Sequence, residues 1–336
     1  MAGLKKFNIL LLLLSAFLFL YYFLISSNSQ KLSISELELA EFQNFIIKHN
    51  KIYVSNELKT RYEIFKKNQR FINAFNALTN DFILAINKFA DLTTEEFASL
   101  YTEKIKTKKD KSTKIAMEKL NGPPSAFDWR DKGGVSDVMN QGTCKSSWAI
   151  AATGAIEGAR VAQGLLDLEN LSVQEILDCA TAGQACGGGL VEDAYSFVVN
   201  NGLVSDIVYP YTGKNQTCFT NLVSKNITTI TGYYDVISND PTWLINAVST
   251  TPTISIVESN NYVWQFYYSG IVNNYCGYDV SHYVLVVGYN NTEPNPYFIV
   301  KNSWGGDWGE SGYIRIGIQG GTGICGIQVS SSYPIF

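Results

Sequence analysis

Cysteine is absent from the first 143 residues of this 336-residue chain. All six (Cys144, Cys179, Cys186, Cys218, Cys276 and Cys325) come later, so any disulfide framework belongs to the second part, where six cysteines allow fifteen pairings. Charge is scarce as well. Only 17% of residues are charged and the net charge is −4 with a pI near 5.4, which removes the basic surface that a nucleic-acid partner needs. Low charge combined with 46% hydrophobic residues excludes a disordered chain. Histidine is limited to His49 and His282, and no internal repeat is apparent. The length suits two modest domains, or one enzyme domain and a removable segment.

Residues 1–30 stand apart from the fold. Lys5 and Lys6 make the start basic, and residues 9–25 are apolar except for Ser15. That run exceeds an ordinary signal core of roughly 7–15 residues and falls short of a comfortable span of about 20. It is read as a signal peptide, with Ser27 and Ser29 as small residues for cleavage, or as a signal anchor through residues 7–25. Either reading sends the chain into the secretory pathway, toward a lysosome or vacuole or outside the cell. That compartment permits disulfides and glycans, and the sequons place acceptors at Asn170, Asn215, Asn226 and Asn290.

Residues 31–101 form a first unit without cysteine. Leu39, Phe42, Phe45 and Ile46 recur at helical spacing, and Leu58, Tyr62, Phe65, Ile72 and Phe75 continue a second amphipathic pattern. Residues 82–86 read as a strand. Thr93 followed by Glu96 is a helix start with a capping box. Residues 102–121 are a lysine-rich linker, exposed and suited to proteolytic maturation. From residue 122 the texture changes. Helices are expected over 146–164, 172–179 and 191–199, and strands over 283–288, 297–301 and 313–316. Helices first and strands later predict an α+β arrangement of two lobes.

Three stretches carry chemistry: Gln141-Gly142-Thr143-Cys144-Lys145-Ser146-Ser147-Trp148-Ala149, Ser281-His282-Tyr283-Val284, and Lys301-Asn302-Ser303-Trp304-Gly305. Each resembles a segment of the papain-like, cathepsin-L-like cysteine peptidases. His282 lies 135 residues after Ser147 (282 − 147) and Asn302 lies 155 after it (302 − 147), separations this family shows. Glu57, Arg61, Phe65, Asn68, Ile72 and Asn76, then Asn87, Phe89 and Asp91, resemble the inhibitor-type propeptide of the same group; Ala85 departs from its glycine. The resemblance implies a papain-like α+β fold with a helical lobe and a β-barrel-like lobe over residues 122–336, a propeptide over 31–101, and a monomer.

Carried over residue by residue, it implies the pairs Cys144–Cys186, Cys179–Cys218 and Cys276–Cys325, with no free thiol. With the cysteines paired and two histidines in the chain, neither a metal nor a cofactor is expected. The family's second motif cysteine, the nucleophile, is Ser147 here. His282 is the implied general base, Asn302 its orienting partner, Trp304 the indole that covers that contact, and Gln141 with the Ser147 N–H the oxyanion hole. Gly188, Gly189, Leu190, Val191, Lys145 and Tyr283 are the implied substrate-binding residues. Lys145 replaces a glycine; it is expected to point to solvent and to disfavour imidazolium at His282, and it raises the option of a Ser–Lys dyad. Tyr283 replaces a small residue and is expected to narrow or fill the S2 pocket.

A hydroxyl is too weak an acid to form the thiolate–imidazolium pair on which the family relies. Two readings follow: a pseudo-peptidase with lost or greatly reduced proteolysis that still holds peptides, or a serine hydrolase using Ser147, His282 and Asn302. In both, the partners are a peptide or protein in the cleft and the chain's own propeptide.

Overall fold

A computed structural model describes residues 34–79, 81–103, 105, 114–115, 122–165, 167–180, 185–223, 227–292 and 294–336. The expectations for residues 1–30, most of the lysine-rich linker and the sequon residue Asn226 lie outside the described residues. The chain divides into two compact units between Tyr62 and Glu63.

The first unit contains helix α1 (Ile34–Lys48) and the opening turns of α2 (Ser55–Asn76). Phe42 and Phe45 are buried, and the Phe42 ring lies 6.1 Å from Tyr53 and 5.4 Å from Tyr62. Glu57 and Arg61, one helical turn apart, form an ion pair at 2.9 Å. Leu39 and Leu58, read from the spacing as part of the apolar stripe, are each 45% exposed; the aromatic rings supply the buried face instead.

In the second unit, residues 63–103 pack together with residues 122–336. The cause is a set of specific contacts. Strand β1 (Phe82–Leu84) is shorter than the expected 82–86 run, and the Asn76 amide clamps its Leu84 at 2.8 and 3.0 Å. Asn68 holds the Ala90 and Leu92 carbonyls, and Asn87 donates to the Gln265 carbonyl at 2.8 Å. The propeptide-like asparagines thus satisfy turns that the chain cannot close by itself. Helix α3 (Thr94–Tyr101) starts with the expected capping box between Thr93 and Glu96.

The remaining strands are β2 (Lys114–Ile115), β3 (Ala126–Asp128), β4 (Gly232–Asp235), β5 (Thr253–Val257), β6 (Tyr267–Val272), β7 (His282–Asn290), β8 (Tyr297–Lys301), β9 (Tyr313–Gly317) and β10 (Ser331–Ile335). They follow the order β1-β6-β9-β8-β7-β5-β10-β4-β2, with β3 paired to β7. Phe82 of β1 faces Gly270 of β6, which has φ +102°; a side chain there would overlap the β1 backbone.

Helix α4 (Ser147–Ala162) packs on the sheet, chiefly against β7, and α5 (Val173–Cys179) and α6 (Val191–Asn201) pack against α4. Helix α4 is buried on nearly every side, as its run of alanines and glycines predicts for a helix packed all round. Trp148, Ile150, Ala152 and Ile156 join Val191 and Tyr195 of α6 and Tyr283 and Leu285 of β7 in one core. The helix runs inside the expected 146–164, with Ser146 as its cap residue. Disulfides join Cys144 to Cys186, Cys179 to Cys218 and Cys276 to Cys325, and no described cysteine is free. No helix among the described residues is long and apolar enough to cross a membrane.

Candidate active site

The site forms where α4 begins against the sheet. Ser147 is the first residue of α4, where the leading N–H groups have no intrahelical acceptor and the helix dipole favours negative charge. His282 opens β7, and Asn302 immediately follows β8. Because β7 and β8 are neighbours, with Leu285 opposite Lys301, two residues twenty positions apart meet in space. His282 Nε2 lies 2.8 Å from Asn302 Oδ1. The Trp304 indole stacks on the imidazole at 4.8 Å between centroids, and Trp264 meets it edge-on at 6.4 Å. Asn302 Oδ1 also accepts the Ser303 N–H at 2.8 Å, which fixes the amide that fixes the ring.

The histidine is fully buried. Burial lowers its pKa to about 4, against the weaker opposing hydrogen bond that it donates to Asn302, so the ring is neutral above that pH. The cause is burial rather than the Lys145 cation, which corrects the expectation from sequence. His282 Nδ1, the atom left to receive a proton, has no hydrogen-bond partner among the described residues.

Ser147 is held by other groups. Its Oγ donates to Glu103 Oε1 at 2.8 Å and accepts the Tyr283 N–H at 3.2 Å. Glu103 Oε2 accepts the Gly189 N–H at 3.2 Å, and the Glu103 N–H donates to the Ser281 carbonyl at 2.8 Å. Burial raises the Glu103 carboxyl to about 7; the Ser147 and Gly189 hydrogen bonds and the Lys145 charge act against that rise. Just before it, the Tyr101 carbonyl accepts from Gln141 Nε2 at 3.3 Å. The Gln141 amide is oriented by Ser303 Oγ, which donates to its oxygen at 2.6 Å. The donor assigned to an oxyanion is therefore engaged by the main-chain carbonyl of the last residue of α3.

The rest of the cleft departs from expectation at one residue and agrees in form at another. Lys145 is half-buried and its charge reaches Glu103, so it does not simply point to solvent. Tyr283 is 5% exposed, packs in the core with Val191, and carries a buried hydroxyl. Burial pushes that hydroxyl well up, so it remains a neutral plug. Gly189 lies flat against the Trp148 indole, and Gly188 leaves room for Glu103; a Cβ at either would overlap its neighbour. Leu190 is half-buried at the start of α6. Of the sequon asparagines, Asn170 and Asn215 are exposed and Asn290 is half-buried at the end of β7. A separate pocket lined by Trp243, Asn246, Thr251 and Tyr333 includes none of these residues.

The residues brought together by the fold are thus Gln141, Ser147, Gly189, His282, Tyr283, Asn302 and Trp304. Sequence reasoning missed Glu103 and Tyr101, and it gave no role to Ser281 and Ser303, which it held only as members of the motif segments. No local motif marks Glu103, since only the path of the chain after α3 delivers it to Ser147.

Comparison with known proteins shows the family and the fold. Residues 123–335 match the papain family cysteine protease model, and residues 42–97 match the cathepsin propeptide inhibitor domain. The chain belongs to the papain family of cysteine proteases. It is similar to the thiol protease SEN102 of Hemerocallis sp., at 39% identity over 294 residues, 83% of this chain and 81% of that relative. The senescence-specific cysteine protease SAG39 of Oryza sativa subsp. japonica is 35% identical over 318 residues, covering 91% and 93%. Among solved structures, a recombinant stem bromelain precursor superposes with TM-score 0.81 at 37% identity, covering 89% of this chain and 99% of that one. Digestive procathepsin L 3 of the Tenebrio molitor larval midgut gives TM-score 0.78 at 33% identity, covering 89% and 99%. The fold is that of a papain-family precursor carrying its propeptide.

Proposed function

We propose that this chain is a papain-family precursor in which Ser147 stands at the nucleophile position, making it a pseudo-peptidase with lost or greatly reduced proteolysis. One observation carries the reading: the Ser147 hydroxyl bonds to Glu103 and to the Tyr283 N–H, while His282 Nδ1 has no partner among the described residues. A serine nucleophile needs a base to remove its proton as it attacks. The candidate base is buried with its pKa lowered to about 4, which makes it a poor acceptor near neutrality. The Tyr283 plug further narrows the pocket that selects substrate. Residues 31–101 act as the propeptide, residues 102–121 as the maturation linker and residues 122–336 as the peptidase-like domain. The protein is a monomer of the secretory pathway, glycosylated at exposed Asn170 and Asn215, and it binds peptides in the cleft without metal or cofactor.

The intact His282–Asn302 pair under Trp304 favours the second reading, slow serine hydrolysis. Fluorophosphonate labelling of the full-length and processed protein, read by mass spectrometry, separates the two. No adduct at Ser147 and no peptide cleavage are expected. An adduct that Ser147→Ala abolishes, together with turnover, favours the hydrolase.

A further inference from the structure

The Ser147 hydroxyl is engaged in binding a carboxyl group. Ser147 Oγ meets Glu103 Oε1 at 2.8 Å and the Gly189 N–H meets Oε2 at 3.2 Å, one donor for each oxygen. The half-buried Lys145 contributes a cation, and the first turn of the sixteen-residue α4 adds positive potential. Gly188 completes the shape, because any side chain there would occupy the space of Oε2. A hydroxyl suits this arrangement where a thiolate does not. An ionised sulfur at the same position would set a second negative charge against the carboxylate, whereas the neutral hydroxyl turns its proton toward it.

We propose that Ser147 Oγ, the Gly189 N–H and Lys145 form a carboxyl-binding subsite, filled in the precursor by Glu103 and open to the glutamate side chain of an acidic peptide when Glu103 is absent. The inference rests on reading Ser147 as a binding group instead of a nucleophile. The main-chain bond from the Glu103 N–H to the Ser281 carbonyl shows how such a peptide is held beside the subsite. The side chain enters between α4 and the Gly188–Gly189 turn, with its backbone along residue 281. Specificity for acidic residues follows from two hydrogen-bond donors, one to each carboxyl oxygen, with the Lys145 charge near enough to act on the group.

The test uses the full-length protein with Glu103→Ala, which lacks the part of the side chain that acetate replaces. Acetate is titrated at constant ionic strength while the Gly189 amide is followed by ¹⁵N–¹H NMR. A saturable shift of that amide is expected, with an apparent Kd at least tenfold weaker in Glu103→Ala/Ser147→Ala and severalfold weaker in Glu103→Ala/Lys145→Gln. Absence of a saturable shift, or a response that Ser147→Ala leaves unchanged, overturns the proposal. A second measurement keeps native Glu103: ¹³C titration of its carboxyl in the intact precursor. Ser147→Ala is expected to raise that midpoint further, and an unchanged midpoint overturns the assignment. The fluorophosphonate result stands apart from both, so failure of the carboxyl subsite and failure of the pseudo-peptidase reading are told apart.

Discussion

Glu103 makes the closed cleft pH-dependent, in a direction the structure fixes. Its carboxyl has a pKa of about 7 in the closed contact and the ordinary 4.5 when the segment is released into solvent. The raised value belongs to the closed state, so the contribution is fully present below pH 4.5 and is lost as pH rises toward about 7. At about 1.4 kcal/mol per pKa unit, the change across that window is roughly 3 kcal/mol, or on the order of 100-fold in the opening equilibrium. Among the described residues, the groups acting on the carboxyl are Ser147, the Gly189 N–H, Lys145 and the Tyr283 hydroxyl, of which Lys145 is the cation. His282 acts in the opposite sense: its lowered pKa contributes stability above pH 6.5 that is lost as pH falls toward about 4. Comparison with Glu103→Gln removes this opposing effect, because His282 is common to both proteins. The assay is amide exchange at Glu103 and Gly189, the two N–H groups whose bonds report closure. Relative to Glu103→Gln, the native protein is expected to exchange progressively faster from pH 4.5 to 7 and to level off above. An exchange ratio that stays flat, or that rises toward acid, refutes the reasoning.

Other outcomes follow from the same contacts. Ser147→Cys in the precursor is expected to react with iodoacetamide slowly, and at least tenfold faster when Glu103→Ala is added, as measured by mass spectrometry; equal rates contradict a covered residue 147. Gly189→Ala forces a methyl group into the Trp148 indole and is expected to destabilise the fold by roughly 1–3 kcal/mol in urea unfolding. Replacing Cys144 and Cys186 together with serine opens a link across 42 residues and is expected to cost about 4 kcal/mol by the same measurement. Asn302→Ala removes the acceptor at 2.8 Å from His282 Nε2 and should change the His282 ring resonances by NMR without unfolding the sheet.

Some of this protein is written directly in its residues. The alanines and glycines of α4 require a helix packed on every side, and Thr93 with Glu96 specifies the start of α3. The motif segments around Ser147, His282 and Asn302 are legible because each is a short local pattern, and the propeptide-like asparagines are legible for the same reason. The exposure of Leu39 and Leu58 was not, since helical spacing says which residues share a face but not which part of that face is covered. Lys145 was misjudged similarly, because its surroundings come from a distant segment.

The sequence by itself determined the family, the helix-rich stretch ahead of the strand-rich one, and the presence of a hydroxyl at Ser147. Only the tertiary structure decided what that oxygen touches. The 44 positions separating Glu103 from Ser147 encode no pairing between them. Their meeting depends on where α3 ends, on the bond from the Glu103 N–H to the Ser281 carbonyl, and on how burial sets the charge of the groups there. Hydrogen bonds and desolvation are properties of neighbours in space, and for Ser147 those neighbours come from Glu103 and Tyr283, far from it in the chain.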